Sequence, residues 1–143
     1  MSPVGAGAMP ARFAAAPVAR LASIRPDGSP HLVPVTFALV DDDRIVFAVD
    51  HKPKSTTDLQ RLANIAAEPR VSFLVDHYDD DWTALWWVRV DGVARVLDDA
   101  TEGGQRETAL DALAAKYRQY RDTRPAGPVV STQITRWVDW AYR

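Results

Sequence analysis

A chain of 143 residues is long enough for one hydrophobic core and too short for two, so a single domain over residues 1–143 is expected. With 47% apolar and 25% charged residues it reads as an ordinary globular protein, and a net charge of −2 argues against the basic surface that non-specific nucleic-acid binding requires. The absence of cysteine excludes disulfides, thiolate nucleophiles and cysteine metal sites, and no apolar run approaches the ~20 residues of a membrane-spanning helix.

Residues 1–16 are rich in Ala, Gly and Pro. They lack a basic start followed by a long apolar core, so no signal peptide is expected and a cytoplasmic location follows. Ala11 to Ala16 reads as a short helix stopped by Pro17. Val18 to Arg25 reads as a strand, followed by a turn at Pro26-Asp27-Gly28-Ser29. His31 to Val40 is the cleanest strand, because Val33, Val35, Phe37 and Leu39 recur with a period of two. Asp41-Asp42-Asp43-Arg44 then turns the chain into a strand over Ile45 to Val49. A hairpin, within a meander of three strands, is expected.

Helical spacing follows. Thr57 with Gln60 fits a capping box, Leu59, Leu62, Ala63 and Ala66 share one face, and Pro69 marks the exit. Val71 to Asp76 alternates again, and His77 to Trp82 is a polar, acidic loop. Ala84 to Leu97 is a long strand whose Gly92 suggests a bulge or tight bend. Thr101 to Tyr120 reads as one helix with Leu110, Leu113, Ala114 and Tyr117 on one face. Val129 to Ile134 is a final strand, and the tail carries Trp137, Trp140 and Tyr142. Six strands with two or three helices and hairpins in sequence predict a mainly β protein, an antiparallel barrel with flanking helices. There is no G-x-G-x-x-G and no Walker motif.

The chain has three lysines against 14 arginines, and two of the three lie in His51-Lys52-Pro53-Lys54-Ser55. This stretch joins a strand to a helix. Two ammonium groups beside the positive end of a helix dipole, with its unpaired N–H groups, make a place for a phosphate. Lys52, Lys54 and Ser55 are therefore candidate anion ligands; the other reading is a solvated basic loop. Trp86 and Trp87 are adjacent on a strand and must point to opposite faces. One fills the core, and the other covers a partner or stacks on a flat ligand. His31, His51 and His77 are scattered, so no metal site is expected. The acidic runs Asp41–Asp43 and Asp79–Asp81 lack calcium-loop spacing, and no serine has nucleophile-elbow context.

The order of these pieces resembles the pyridoxamine 5'-phosphate oxidase-like split β-barrel family, a six-stranded, Greek-key, FMN-binding-like architecture. The branch it is most similar to is that of the actinobacterial deazaflavin (coenzyme F420)-dependent oxidoreductases. The resemblance is carried by Arg12-Phe13-Ala14, Val18 to Ser23, Asp27-Gly28-Ser29-Pro30-His31, Pro34-Val35-Thr36-Phe37, Lys52-Pro53-Lys54-Ser55, Leu62 with Asn64-Ile65, Glu68 to Ser72 and Val90 to Arg95. It covers roughly residues 11 to 97.

The resemblance implies a homodimer with cofactors in clefts between subunits. Pro34, Val35, Thr36 and Phe37 would then run along the flavin or deazaflavin ring, and Lys52, Lys54 and Ser55 would hold the cofactor phosphate. The aromatic residues around Trp82 to Trp87, Trp87 among them, would sit near the partner's cleft. The tail Trp137 to Arg143 offers little to hold a second phosphate, which argues against vitamin B6 oxidation. The implied activity is hydride transfer from reduced coenzyme F420 to an unsaturated small-molecule acceptor. The alternatives are an FMN-dependent oxidoreductase and a non-catalytic flavin or deazaflavin carrier. No side chain stands out as a catalytic acid or base. Arg61, one turn beyond Asp58, is either a solvated helix position or a donor to the acidic tail of the deazaflavin.

Overall fold

The computed structural model describes residues 8–49 and 56–142, the side chains of residues 8 and 56–59 excepted. The described chain opens with helix α1 (Ala8–Ala15), followed by strands β1 (Ala19–Ile24), β2 (Pro30–Val35), β3 (Ala38–Val40) and β4 (Arg44–Ala48). Helix α2 (Thr56–Ala67) leads into β5 (Arg70–His77), a 3₁₀ turn (Trp82–Ala84) and β6 (Trp86–Val96). Helices α3 (Gly103–Lys116) and α4 (Arg118–Asp122) precede β7 (Val129–Ala141). Among the described residues no helix is long and apolar enough to cross a membrane.

The strands form one antiparallel sheet in the order β2-β1-β5-β6-β7-β4-β3. Its two outer strands, β2 and β3, are consecutive in the chain and are joined only by Thr36–Phe37. Three Cα steps reach roughly 11 Å at most. The two edges are therefore drawn together and the sheet curls into a split barrel. This corrects the expected strand count from six to seven. The run His31 to Val40 is broken at Thr36–Phe37, because its first half pairs with β1 and its second half with β4. Alternation continues through the break and conceals it.

Inward residues line up across the sheet. Val33 faces Leu21, Leu21 faces Phe73, Phe73 faces Val90, and Val90 faces Trp137. This row, with Phe13, Phe37 and Phe47, makes the barrel core. A second apolar layer lies between α3 and β3–β4, where Leu110 and Leu113 meet Val40 and Val46. The expected helix over Thr101 to Tyr120 is two helices, because Tyr117 is extended (φ −118°, ψ 122°) between α3 and α4.

Two local expectations need correction in α2. The helix begins at Thr56, one residue before the expected cap Thr57, and the Gln60 amide donates forward to Asn64 Oδ1 at 2.6 Å. Ala63 and Ala66 are exposed, and the buried face is Leu62, Asn64 and Ile65. Asn64 is fully buried because its amide donates to Ser23 Oγ (3.1 Å), so a polar row ties α2 to β1. At Gly92 the β6–β7 register shifts, as the glycine suggested, and Thr135 Oγ1 donates to the Asp91 carbonyl at 3.1 Å. A Cβ at Gly92 would lie 2.5 Å from the Gln133 carbonyl oxygen, so glycine is what permits the close approach of β7.

Candidate functional site

The break between β2 and β3 is fastened by two tyrosines. The Phe37 N–H donates to Tyr117 Oη at 3.0 Å, and that hydroxyl donates to the Pro17 carbonyl at 2.8 Å. One phenol thus clamps three segments. Burial pushes the Tyr117 phenol above its usual range. Tyr120 Oη lies 3.0 Å from Thr36 Oγ1. Val35 and Phe37 point into the core, so Thr36 between them points the other way, toward α4.

That outward side is a cleft of about 340 Å³, within the roughly 300–1,000 Å³ of small-molecule sites. Its lining brings together Pro34, Val35 and Thr36 with Arg61 of α2, Tyr120 of α4, and Phe47 and Ala48 of β4. The Arg61 guanidinium stands 5.6 Å from the centre of the Phe47 ring. Four of the candidate residues therefore fall together, Pro34, Val35, Thr36 and Arg61, which line the cleft, and a fifth, Phe37, is next to Thr36 in the chain and buried in the core. Sequence reasoning missed Tyr120 and Phe47. Both reach the cleft only through the fold, from residues remote in the chain.

Lys52, Lys54 and Ser55 lie outside the described residues. The helix α2, whose described residues begin at Thr56, carries Arg61 into the cleft. His31 on β2 is 7% exposed, and burial first, then Arg25 and Arg61, hold its imidazole below its usual range. Among the described residues no group of three or more His, Cys, Asp or Glu side chains could hold a metal ion.

Trp87 is elsewhere within this chain. Trp86 packs on the core, stacked on His77 with ring centres 6.2 Å apart and with the Arg12 guanidinium 5.0 Å above it. Trp87 takes the outer face, opposite Trp140 on β7 and beside Asp76 on β5. It lines a separate hollow of about 410 Å³ with Leu74, Tyr78 and Arg89. The same outer face exposes Leu32 (68%) and Val93 (44%), far more apolar surface than a sheet covered by its own helices would leave. A larger hollow of about 600 Å³ also opens there. Its two acids are already engaged, Asp91 accepting from Ser72 (2.7 Å) and Arg89 (3.1 Å) and Glu68 paired with Arg70, so it offers a ligand little.

Lys116 ends α3 with its Nζ buried and, among the described residues, without a hydrogen-bond partner. The ammonium stands 3.7 Å from the Phe37 ring centre and 5.2 Å from that of Tyr117. Burial lowers its pKa from 10.5 to about 8. The folded state thus disfavours the charged form: the penalty is fully present below about pH 8 and is relieved as pH rises toward 10.5. Stability should climb across that window. Lys116→Met should be more stable than the parent at pH 7, by on the order of 1–2 kcal/mol once the favourable Phe37 contact is discounted. Urea unfolding at pH 7 and pH 10 checks this; the two proteins should converge at the higher pH.

The chain matches the pyridoxamine 5'-phosphate oxidase family over residues 7–141, nearly its whole length. It belongs to this family. Among solved structures, a conserved hypothetical protein from Mycobacterium tuberculosis is 23% identical with a TM-score of 0.78, over 98% of this chain and 86% of that one. An FAD-binding protein from Mesorhizobium loti is 22% identical (TM-score 0.70, 96% and 95% covered). An F420 reductase is 22% identical (TM-score 0.62, 96% and 98% covered). At these identities the likeness is one of fold. No curated protein sequence matches the chain. The split barrel of this pyridoxamine 5'-phosphate oxidase family member is therefore shared with an FAD-binding protein and an F420 reductase.

Proposed function

We propose that this protein is a single-domain, cytoplasmic oxidoreductase that binds reduced coenzyme F420 in the Thr36 cleft and delivers hydride to an unsaturated small-molecule acceptor. The observation that carries the reading is the meeting of Thr36, Arg61 and Tyr120 around one cleft beside a broken strand. The donor set fits a flavin-type group: a hydroxyl and main-chain groups for a flat ring, and a guanidinium for its anionic part. The cofactor supplies the redox chemistry when bound; the chain supplies binding and orientation. Pro34, Val35, Thr36 and Phe37 flank the ring. Lys52, Lys54 and Ser55 hold the phosphate, and Arg61 meets the acidic extension. The Tyr120–Thr36 hydrogen bond sets the width of the cleft and puts a phenolic proton on its wall.

The cleft is completed in a homodimer. The outer face with Trp87, Trp140, Leu32 and Leu74 covers the same face of a second copy, and the partner contributes its aromatic wall. Sedimentation at micromolar concentration should give about twice 15.8 kDa. A stable monomer would remove Trp87 from the site.

Competitive fluorescence titration of the purified protein with coenzyme F420 and flavin mononucleotide tests the cofactor. F420 should bind more tightly. Equal or tighter flavin binding, or a yellow flavin carried through purification, would transfer the site to a flavin-dependent enzyme, the second reading that the FAD-binding likeness favours. Binding without acceptor-dependent oxidation of the reduced cofactor would leave a carrier. Binding of neither ring would defeat the reading.

A further inference from the structure

Lys116 is a positive charge in an unfavourable place. Its Nζ is enclosed and, among the described residues, has no hydrogen-bond acceptor. What faces it is aromatic, Phe37 from the β2–β3 link and Tyr117 from the α3–α4 junction, and among the described residues no carboxylate is paired to it. A lysine that only closed the end of α3 would do so as well with its ammonium in water, where the carbonyl end of the helix favours a cation without a desolvation cost. Here the stem carries the charge inward instead. It lies against Phe37, the residue next to Thr36, on the core side of the segment whose other side lines the cleft.

We propose that Lys116 supplies a buried positive field behind the ring-binding segment, favouring the reduced and more negative form of a flavin-type ring bound in the cleft. The inference rests on the proposed site. Uptake of a hydride, two electrons and one proton, by a neutral flavin ring adds one negative charge to it. A fixed cation in low dielectric lowers the free energy of that product more than that of the neutral ring. Lys116 touches no reacting atom. It acts through space, across Phe37.

The probe is flavin mononucleotide, reduced by dithionite in equilibrium with a reference dye. The midpoint potential of the bound flavin is compared among the parent, Lys116→Met and Lys116→Arg. Lys116→Met should lose about tenfold in its preference for the reduced form, a fall of ~30 mV for a two-electron couple. Its affinity for oxidised flavin should change little. Lys116→Arg should restore the potential, because it returns the charge. A purely structural lysine would move stability and leave the potential alone, so an unchanged potential in Lys116→Met overturns the inference while the site stands. Lys116→Met is expected to fold, since it removes an unpaired buried charge. If the parent binds no flavin at all, the site reading fails first, and the inference falls with it.

Discussion

Replacing Lys52 and Lys54 together with alanine is expected to weaken cofactor binding at least tenfold and to leave the fold intact. Each ammonium would make a charge-assisted contact to phosphate, worth about 1.5–3 kcal/mol. The loss of both is the largest change in affinity that any pair in the chain should produce. The pair concentrates two of the chain's three lysines immediately before α2. Riboflavin, which has the ring without the phosphate, separates the causes. Its affinity should be equal in parent and double variant, while flavin mononucleotide and F420 both weaken. Equal affinity for the phosphorylated ligands in both proteins would remove these lysines from the site.

Gly92→Ala is expected to cost stability rather than binding. Its new methyl would lie 2.5 Å from the Gln133 carbonyl oxygen and 2.6 Å from Thr132 Cγ2. A side-chain methyl can rotate aside, but a carbonyl of β7 moves only with its strand. Overpacking of this kind costs roughly 1–3 kcal/mol. For a chain of this size that is a fall of roughly 3–10 °C in Tm. Thermal unfolding followed by far-UV circular dichroism measures it. An unchanged Tm would mean that β6 and β7 do not approach here as described. The contrast with Lys116→Met, expected to gain stability at neutral pH, makes the two variants a useful pair.

The strands were legible where one face is buried and the other is wet. Val71, Phe73 and Val75 on β5 alternate in sequence and in burial. Two breaks were not legible. At Thr36–Phe37 the alternation runs on without a glycine or proline after Thr36, and only pairing with different partners, β1 and β4, divides the strand. At Tyr117 the helical spacing of apolar residues continues into Tyr120, while the backbone departs to let one phenol reach both Phe37 and Pro17. The long β7 was half read. From Thr135 onward none of its residues is fully buried on either face, so periodicity fades although the ladder to β6 continues. In α2, Asn64 interrupts the apolar stripe because its burial is polar, answered by Ser23 and Gln60. As for the cleft, Thr36 and Arg61 were nominated from the chain and fall together in space. Tyr120 and Phe47 carry no local signature, since their meeting is set by topology.

The position of β7 has a consequence for how the molecule assembles. It is the last strand in the chain, yet it sits between β6 and β4, well inside the sheet. During synthesis, β1, β2, β5 and β6 can pair as they emerge. The β3–β4 hairpin has its tether at Thr36–Phe37 and, later, α3 against its face, but no strand on the β4 side until residues 129–141 arrive. Closure is therefore a late, long-range event, of the kind that slows folding and leaves a strand edge open meanwhile. The cleft that Thr36, Phe47 and Arg61 share straddles that tether. Ligand binding is thus expected to report on the final step of folding, and a nascent chain lacking β7 should bind no cofactor even with every proposed ligand residue already made.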